Sequence, residues 1–288
     1  MLAMTPGIEY ALGAMLFFGL GDLIYKRGAA AGAQPHHFLM VQSWVFAPSV
    51  VFYAVLTGSL HFVAGSLWGA LAGFFVLVGF YNFAHSLKSG SISINAPVFR
   101  LSFVLTAALA VLLLGEPLTR YKLAGIALAL AAVWLLLGAP TPEDAAGRRE
   151  SRSSLVRVFV ATVSVGAGNF IYTFGLRAGA TPASLIVAQA AVVVTLATVF
   201  ASAVDRRVRP SAAALRYAPR AALVLALAFA FMVESMARAE ASVVVPIAQM
   251  GFVVTALLGF LFLREAFTAR KGAGIAAALA ALASLAHG

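Results

Sequence analysis

The 288-residue chain has no cysteine. That excludes disulfides and thiolate metal sites, and it leaves the compartment open. Charge is scarce too: 10% of residues are charged, against 62% hydrophobic. Acidic residues are scarcest, ten against twenty basic ones. No soluble fold hides that much apolar surface, and the charges fall in short segments between apolar runs. Enzyme signatures are missing: there is no H-E-x-x-H, no G-x-S-x-G and no Walker A. GAGIAA (272–277) mimics part of a dinucleotide fingerprint but opens an apolar run with no preceding strand. No enzyme activity and no cofactor are therefore expected. Alternating ten-residue segments are also missing, which argues against a β-barrel.

What is present is long apolar runs. About 20 apolar residues span a bilayer core of roughly 30 Å, and ten such spans fit: 7–25, 36–57, 67–87, 93–114, 120–138, 154–176, 182–203, 217–237, 242–263 and 269–287. The expected class is an all-α integral membrane protein with ten transmembrane helices. The first run lacks a basic lead-in and a small-residue cleavage site, so it reads as a retained helix. A net charge of +10 would suit nucleic acid, but here Lys and Arg flank the spans and form no soluble basic face. Only APTPEDAAGRRESRS (139–153) has the composition of a linker. It separates residues 1–138 from 154–288, five spans on each side.

The two halves repeat. GEPLTRYKLAGIALALAAVWLL (115–136) aligns without gaps to REAFTARKGAGIAAALAALASL (264–285), with 12 identities in 22 positions. Glu116 meets Glu265, Lys122 meets Lys271, Pro97 meets Pro246 and Thr106 meets Thr255. Earlier, GLGDLIYKRG (19–28) meets GAGNFIYTFG (166–175), and Gln42 meets Gln189. A five-helix unit followed by its copy must enter the membrane from opposite faces. The repeats are thus expected to be inverted about an axis in the membrane plane, which suits alternating access with a site near the midplane. Loops 1–2, 3–4, 5–6, 7–8 and 9–10 hold fifteen of the twenty Lys and Arg residues. The positive-inside rule puts those loops in the cytoplasm, so both termini are expected outside.

The pattern of spans four and nine resembles the drug/metabolite transporter superfamily, in particular the EamA-type permeases. It reads SGSISINAPVFRLSFVLTAALAVLLLGEPLT (89–119) and EASVVVPIAQMGFVVTALLGFLFLREAFT (240–268): a small or polar lead-in, proline, an apolar run, then Glu and an amphipathic restart. The resemblance covers the whole chain and implies export of amino acids, drugs or other metabolites, most closely the branch exporting aromatic and other amino acids. The charge-poor loop TGSLHFVAGS (57–66) departs from many relatives, which are basic there, so orientation rests on the charge count.

Several polar residues lie in apolar surroundings. Arg100 falls about 10 Å into span four at about 1.5 Å per residue. Either it snorkels to the interface or it faces a wet cavity and holds a carboxylate in its planar fork. Its repeat mate is Gln249, whereas Pro97 is repeated as Pro246, so the prolines read as architectural kinks and the charge does not. Tyr81, His85 and Lys88 form one helical stripe with Asn82 beside it, lining a cavity or an interface belt. His85, as an imidazole, is a candidate for proton coupling, as is its mate Glu234, for which the plainer reading is a local pair with Arg238. Asn95 is a further polar contact. Gln42 and Gln189 either glue helices or line the path, and Trp44 and Phe99 either stack on an aromatic ligand or pack. Asp22 and Lys26 read as an interfacial pair, and Glu116 and Glu265 as caps on the helices they begin. No metal site is expected.

Together these residues describe a secondary transporter exporting small organic solutes, amino acids or related metabolites, across a bacterial inner membrane. The expected partners are a small-molecule substrate and the lipid bilayer, with no nucleic acid and nothing that calls for more than a monomer. A proton-coupled cationic drug exporter would need a deep acid, and Asp22 and Glu234 both lie near helix ends. A sugar-phosphate or nucleotide-sugar exchanger is a further alternative. A non-transporting scaffold or sensor is disfavoured by the inverted repeat and by the lack of a soluble effector domain.

Overall fold

A proline at the first helical position and a hydroxyl at the cap recur at the helix starts of this chain. Pro6, Pro35 and Pro182 open three helices, while Thr181, Ser211 and Thr268 accept hydrogen bonds from Ser184, Ala214 and Lys271 backbone N–H groups. The computed structural model describes residues 5–89, 95, 98–137, 152–206, 209–263 and 268–287, without the side chains of 26, 87–89, 137 and 259–263. Its helices are α1 (Pro6–Ala30), α2 (Pro35–Leu56), α3 (Leu67–Ser89), α4 (Ser102–Leu114), α5 (Arg120–Leu137), α6 (Arg152–Arg177), α7 (Pro182–Val204), α8 (Ala212–Met236), α9 (Ala241–Gln249), α10 (Gly251–Leu263) and α11 (Ala269–Ala286). A short 3-10 turn, Ala64–Ser66, precedes α3. No strand occurs among the described residues.

Among the described residues, eight segments are long and apolar enough to cross a bilayer, and Val98–Leu114 is a shorter apolar helix. This is a multi-pass membrane protein. α5, with Arg120 and Lys122 in its first turn, is not among the eight. Span nine, expected as one helix over 242–263, is two: α9 stops at Gln249 and α10 restarts at Gly251. α4 has a turn at Leu101, with Val98 to Arg100 helical before it. The eighth span begins at Ala212 and not at 217, because Ser211 caps it there. Pro97, Glu265 and the start of span four lie outside the described residues.

α1 packs on α8 and α10, and α3 on α6 and α7. α2 packs on α7 and α8, α4 on α6 and α9, and α5 on α11. Small residues let backbones approach. A Cβ on Gly19 would lie 2.5 Å from the Gly251 carbonyl oxygen, and one on Gly166 2.8 Å from that of Ser102. The interruption of span nine falls at this contact, so the chain gives up helix where α1 crosses closest. Gly32 and Gly179 both have φ +81° and end α1 and α6 in the left-handed conformation that glycine supplies without strain.

One end of the bundle gathers several connections. Thr181 Oγ1 donates to Ser59 O at 2.7 Å. Arg177 Nη2 reaches Leu114 O at 3.4 Å, and the Tyr121 and His287 rings lie 6.1 Å apart. Lys122 pairs with Glu240 there. At the other end His37 Nε2 meets Asp205 Oδ2 at 3.3 Å, and Asn95 Nδ2 donates to Ser154 Oγ at 2.8 Å.

Candidate substrate cavity

Gln42 on α2 and Gln189 on α7 point from opposite helices into a cavity of about 30 Å³. Ser43, Phe46, Phe80 and Phe229 are among the residues closing it. Such a volume holds about one water molecule. Each glutamine is fixed the same way: Tyr25 OH on α1 donates to Gln42 Oε1, and Tyr172 OH on α6 donates to Gln189 Oε1. Tyr172 is fully buried and Gln189 is 2% exposed. A buried amide held by a phenol keeps its orientation, and its remaining polar atoms stay available to a ligand. The tyrosines were absent from the expected site; their place in GLGDLIYKRG and GAGNFIYTFG, paired as the glutamines are paired, is the signal that marks them.

Arg100 neither snorkels nor reaches this cavity. Its guanidinium is buried and pairs with the Asp22 carboxylate of α1. Asp22 thus reaches across the bundle to a buried guanidinium, which needs an opposite charge; the Lys26 side chain of the expected Asp22–Lys26 pair lies outside the described residues. Aromatic rings join the Asp22–Arg100 pair to the cavity. Phe99, next to Arg100, stacks on Phe83 at 4.1 Å and lies 6.0 Å from Phe80. Phe80 in turn lies 6.3 Å from Tyr25, one turn beyond Asp22.

The other expected contacts are dispersed. Tyr81 packs edge-on to Phe200 at 4.6 Å and against His85 at 5.8 Å. Asn82 donates to Val78 O and accepts from Arg157 at 3.4 Å. It borders a wide surface groove of about 510 Å³ with Arg152 and Arg157, not the central cavity. Asn95 is fully buried and ties Ser86 O on α3 to Ser154 on α6, a structural clasp. Trp44 is 46% exposed, donates to Thr198 Oγ1 at 2.9 Å and is not among the residues lining the cavity. Gln249 is buried at the α9 break, and Pro246 lies inside α9. Glu234 pairs with Arg238, as its i, i+4 spacing suggests, and also accepts from Tyr53 OH at 2.9 Å. Tyr53 is a partner that no local pattern marks.

Glu116 acts differently from expectation. It caps not the helix it precedes but α9 of the other half, accepting from Ala241 N at 3.1 Å and Ser242 N at 2.9 Å. A carboxylate satisfies two orphan donors and complements the helix dipole there. Beside it Lys122, fully buried, donates to Pro117 O at 2.8 Å and pairs with Glu240. No group of three or more possible metal ligands occurs among the described residues.

Residues 5–138 match the EamA-like transporter family, as the spans-four-and-nine pattern implied. A solved structure described only as "Crystal structure of protein" is similar over 98% of this chain and 98% of its own, with a TM-score of 0.80 and 14% identity. At that identity the likeness speaks for the fold alone. No curated protein matches the chain.

Proposed function

We propose that this chain, whose residues 5–138 belong to the EamA-like transporter family, is a secondary-active exporter of amino acids or related small metabolites in a bacterial inner membrane. A membrane transporter of the drug/metabolite type is what the family implies; the substrate class, the direction and the mechanism are our reading. The observation that carries it is the central cavity with Gln42 and Gln189 on facing walls, each held by an equivalent tyrosine. Equivalent residues converging from two repeats form the kind of site that alternating access uses.

The inverted ten-helix repeat belongs to the same proposal. The packing supports it pair by pair. α1 on α8 corresponds to α6 on α3, α1 on α10 to α6 on α4, and α2 on α8 to α7 on α3. Thr106 Oγ1 donates to Gly166 O at 3.0 Å, and its mate Thr255 Oγ1 donates to Gly19 O at 3.0 Å. A cavity the size of one water does not hold a metabolite, so the halves must rock apart for binding. The cytoplasmic placement of the linker and the outside placement of both termini rest on the fifteen basic residues of the odd-numbered loops.

The test is transport by purified protein in proteoliposomes, across amino acids, amines, sugar phosphates and drugs, with and without a pH gradient. Uptake of one amino-acid class is expected. Gln42→Leu or Gln189→Leu should lower it by about three- to tenfold, the worth of one hydrogen bond. Movement of cationic drugs alone would favour the antiporter reading, and no movement of any solute would remove the proposal.

A further inference from the structure

The Asp22–Arg100 pair has a neutral counterpart. The mates of its two residues in the second half are Asn169 and Gln249. The fold therefore accepts uncharged amides at these positions. The neutral version is no tight helix clasp either, because Asn169 is 1% exposed and its Nδ2 has no hydrogen-bond partner among the described residues. A charged pair within apolar helices is costly, and the architecture does not demand this one. It is also not sealed: the Arg100 side chain is 11% exposed and that of Asp22 35%. The pair adjoins Phe80, which walls the central cavity and lies between Tyr25 and Phe99.

We propose that Asp22 and Arg100 form a two-point receptor for a zwitterionic head group, with a ligand ammonium on the Asp22 carboxylate and a ligand carboxylate on the Arg100 guanidinium. This rests on the transporter reading above and specifies the charge of what is carried. Charge balance around the buried guanidinium sets the selection. While the site is empty the two side chains satisfy each other. A ligand bearing both charges enters between them, leaves each matched and adds no net charge. A simple cation would match Asp22 and strand a buried guanidinium, and a simple anion would strand the carboxylate. Removing one partner of a buried pair is strongly unfavourable. The site thus selects net-neutral dipolar ligands by electrostatics, whatever their side chain. The planar fork of Arg100 takes a carboxylate in two parallel hydrogen bonds.

The experiment uses the full chain in detergent and in proteoliposomes, with three matched probes: L-phenylalanine, 2-phenylethylamine and 3-phenylpropionate. Binding is read as a ligand-induced rise in the unfolding temperature, and transport as uptake. The key variant, Asp22→Asn with Arg100→Gln, writes into the first half the residues that the second half carries. It should unfold near the wild-type temperature and lose phenylalanine uptake by about tenfold or more, the scale of a charge-assisted hydrogen bond. Asp22→Asn alone should turn preference toward 3-phenylpropionate, and Arg100→Gln alone toward 2-phenylethylamine. That preference is a ratio between ligands, so it is readable even if the double variant folds poorly. Undiminished phenylalanine uptake by a folded double variant would overturn the receptor, as would an unchanged preference in both single variants. A wild type that moves only amines, drugs or sugars would remove the receptor and leave the transporter standing. A wild type that moves nothing would remove both.

Discussion

Tyr172 and Tyr25 make the same bond in different surroundings, which allows a controlled comparison. Tyr172 is fully buried, while Tyr25 is half-buried. Deleting the hydroxyl leaves a glutamine oxygen without its donor, at a cost of about 1–3 kcal/mol when that oxygen is buried. Tyr172→Phe is therefore expected to lower the unfolding temperature in detergent more than Tyr25→Phe. Lys122 makes a second comparison. Its side chain is wholly enclosed, whereas that of Glu240 is 42% exposed. Glu240→Gln leaves an enclosed ammonium with only the Pro117 carbonyl, and Lys122→Met leaves a carboxylate that water reaches. Glu240→Gln is expected to destabilise by about 1–3 kcal/mol and Lys122→Met by less. Thermal unfolding followed by circular dichroism measures both, and the reverse order would show that the pair is worth little.

Among the elements, α9 depends most on its neighbours. It has nine residues, too few to hold helix alone, and every one is buried. Pro246 removes a backbone donor within it, and its first N–H groups are bound by Glu116 from another loop. Glu116→Ala is expected to cost about 0.5–2 kcal/mol, the range of an N-cap loss, and to speed hydrogen exchange at 241–245 ahead of the other helices. Exchange unchanged in that segment would show that packing alone holds α9. The α1–α10 crossing is set by Gly19 and Gly251. A Cβ at Gly19 meets carbonyl backbone, which cannot swing aside as a side chain can, so Gly19→Leu is expected to cost about 1–3 kcal/mol or more through overpacking. An unfolding temperature within a degree of the wild type would show that the helices separate freely there.

At the scale of the whole molecule, the chain's lack of cysteine makes topology directly measurable. Single cysteines at His61, His287, Ser153 and Ala212 would each be the sole thiol. With the basic loops in the cytoplasm, His61→Cys and His287→Cys should label with an impermeant maleimide on intact cells. Ser153→Cys and Ala212→Cys should label only after permeabilisation. The opposite pattern would invert the molecule and turn the charged Asp22–Arg100 station toward the outside.

Apolar runs, caps and turn glycines were readable in the linear sequence because each acts within a few residues. Bilayer thickness sets the run length, and a hydroxyl or proline sets the helix start. The duplication was readable for a related reason: two copies that fold alike keep the same residues at contact positions. The match of GLGDLIYKRG to GAGNFIYTFG, continued at the same offset, therefore pairs Gln42 with Gln189 in the sequence alone. What the sequence could not settle was the partner of each charge. Asp22 bonds Arg100, 78 residues on. Glu116 precedes one helix in the chain and caps another, 125 residues distant. Ion pairs and caps form between groups that are close in space, and in a bundle that closeness comes from how helices cross. The crossings depend on the glycines at 19, 166 and 251 and on the helix each one touches, so the tertiary structure alone decided which polar residues reach the cavity, which clasp helices and which face one another as a charged pair.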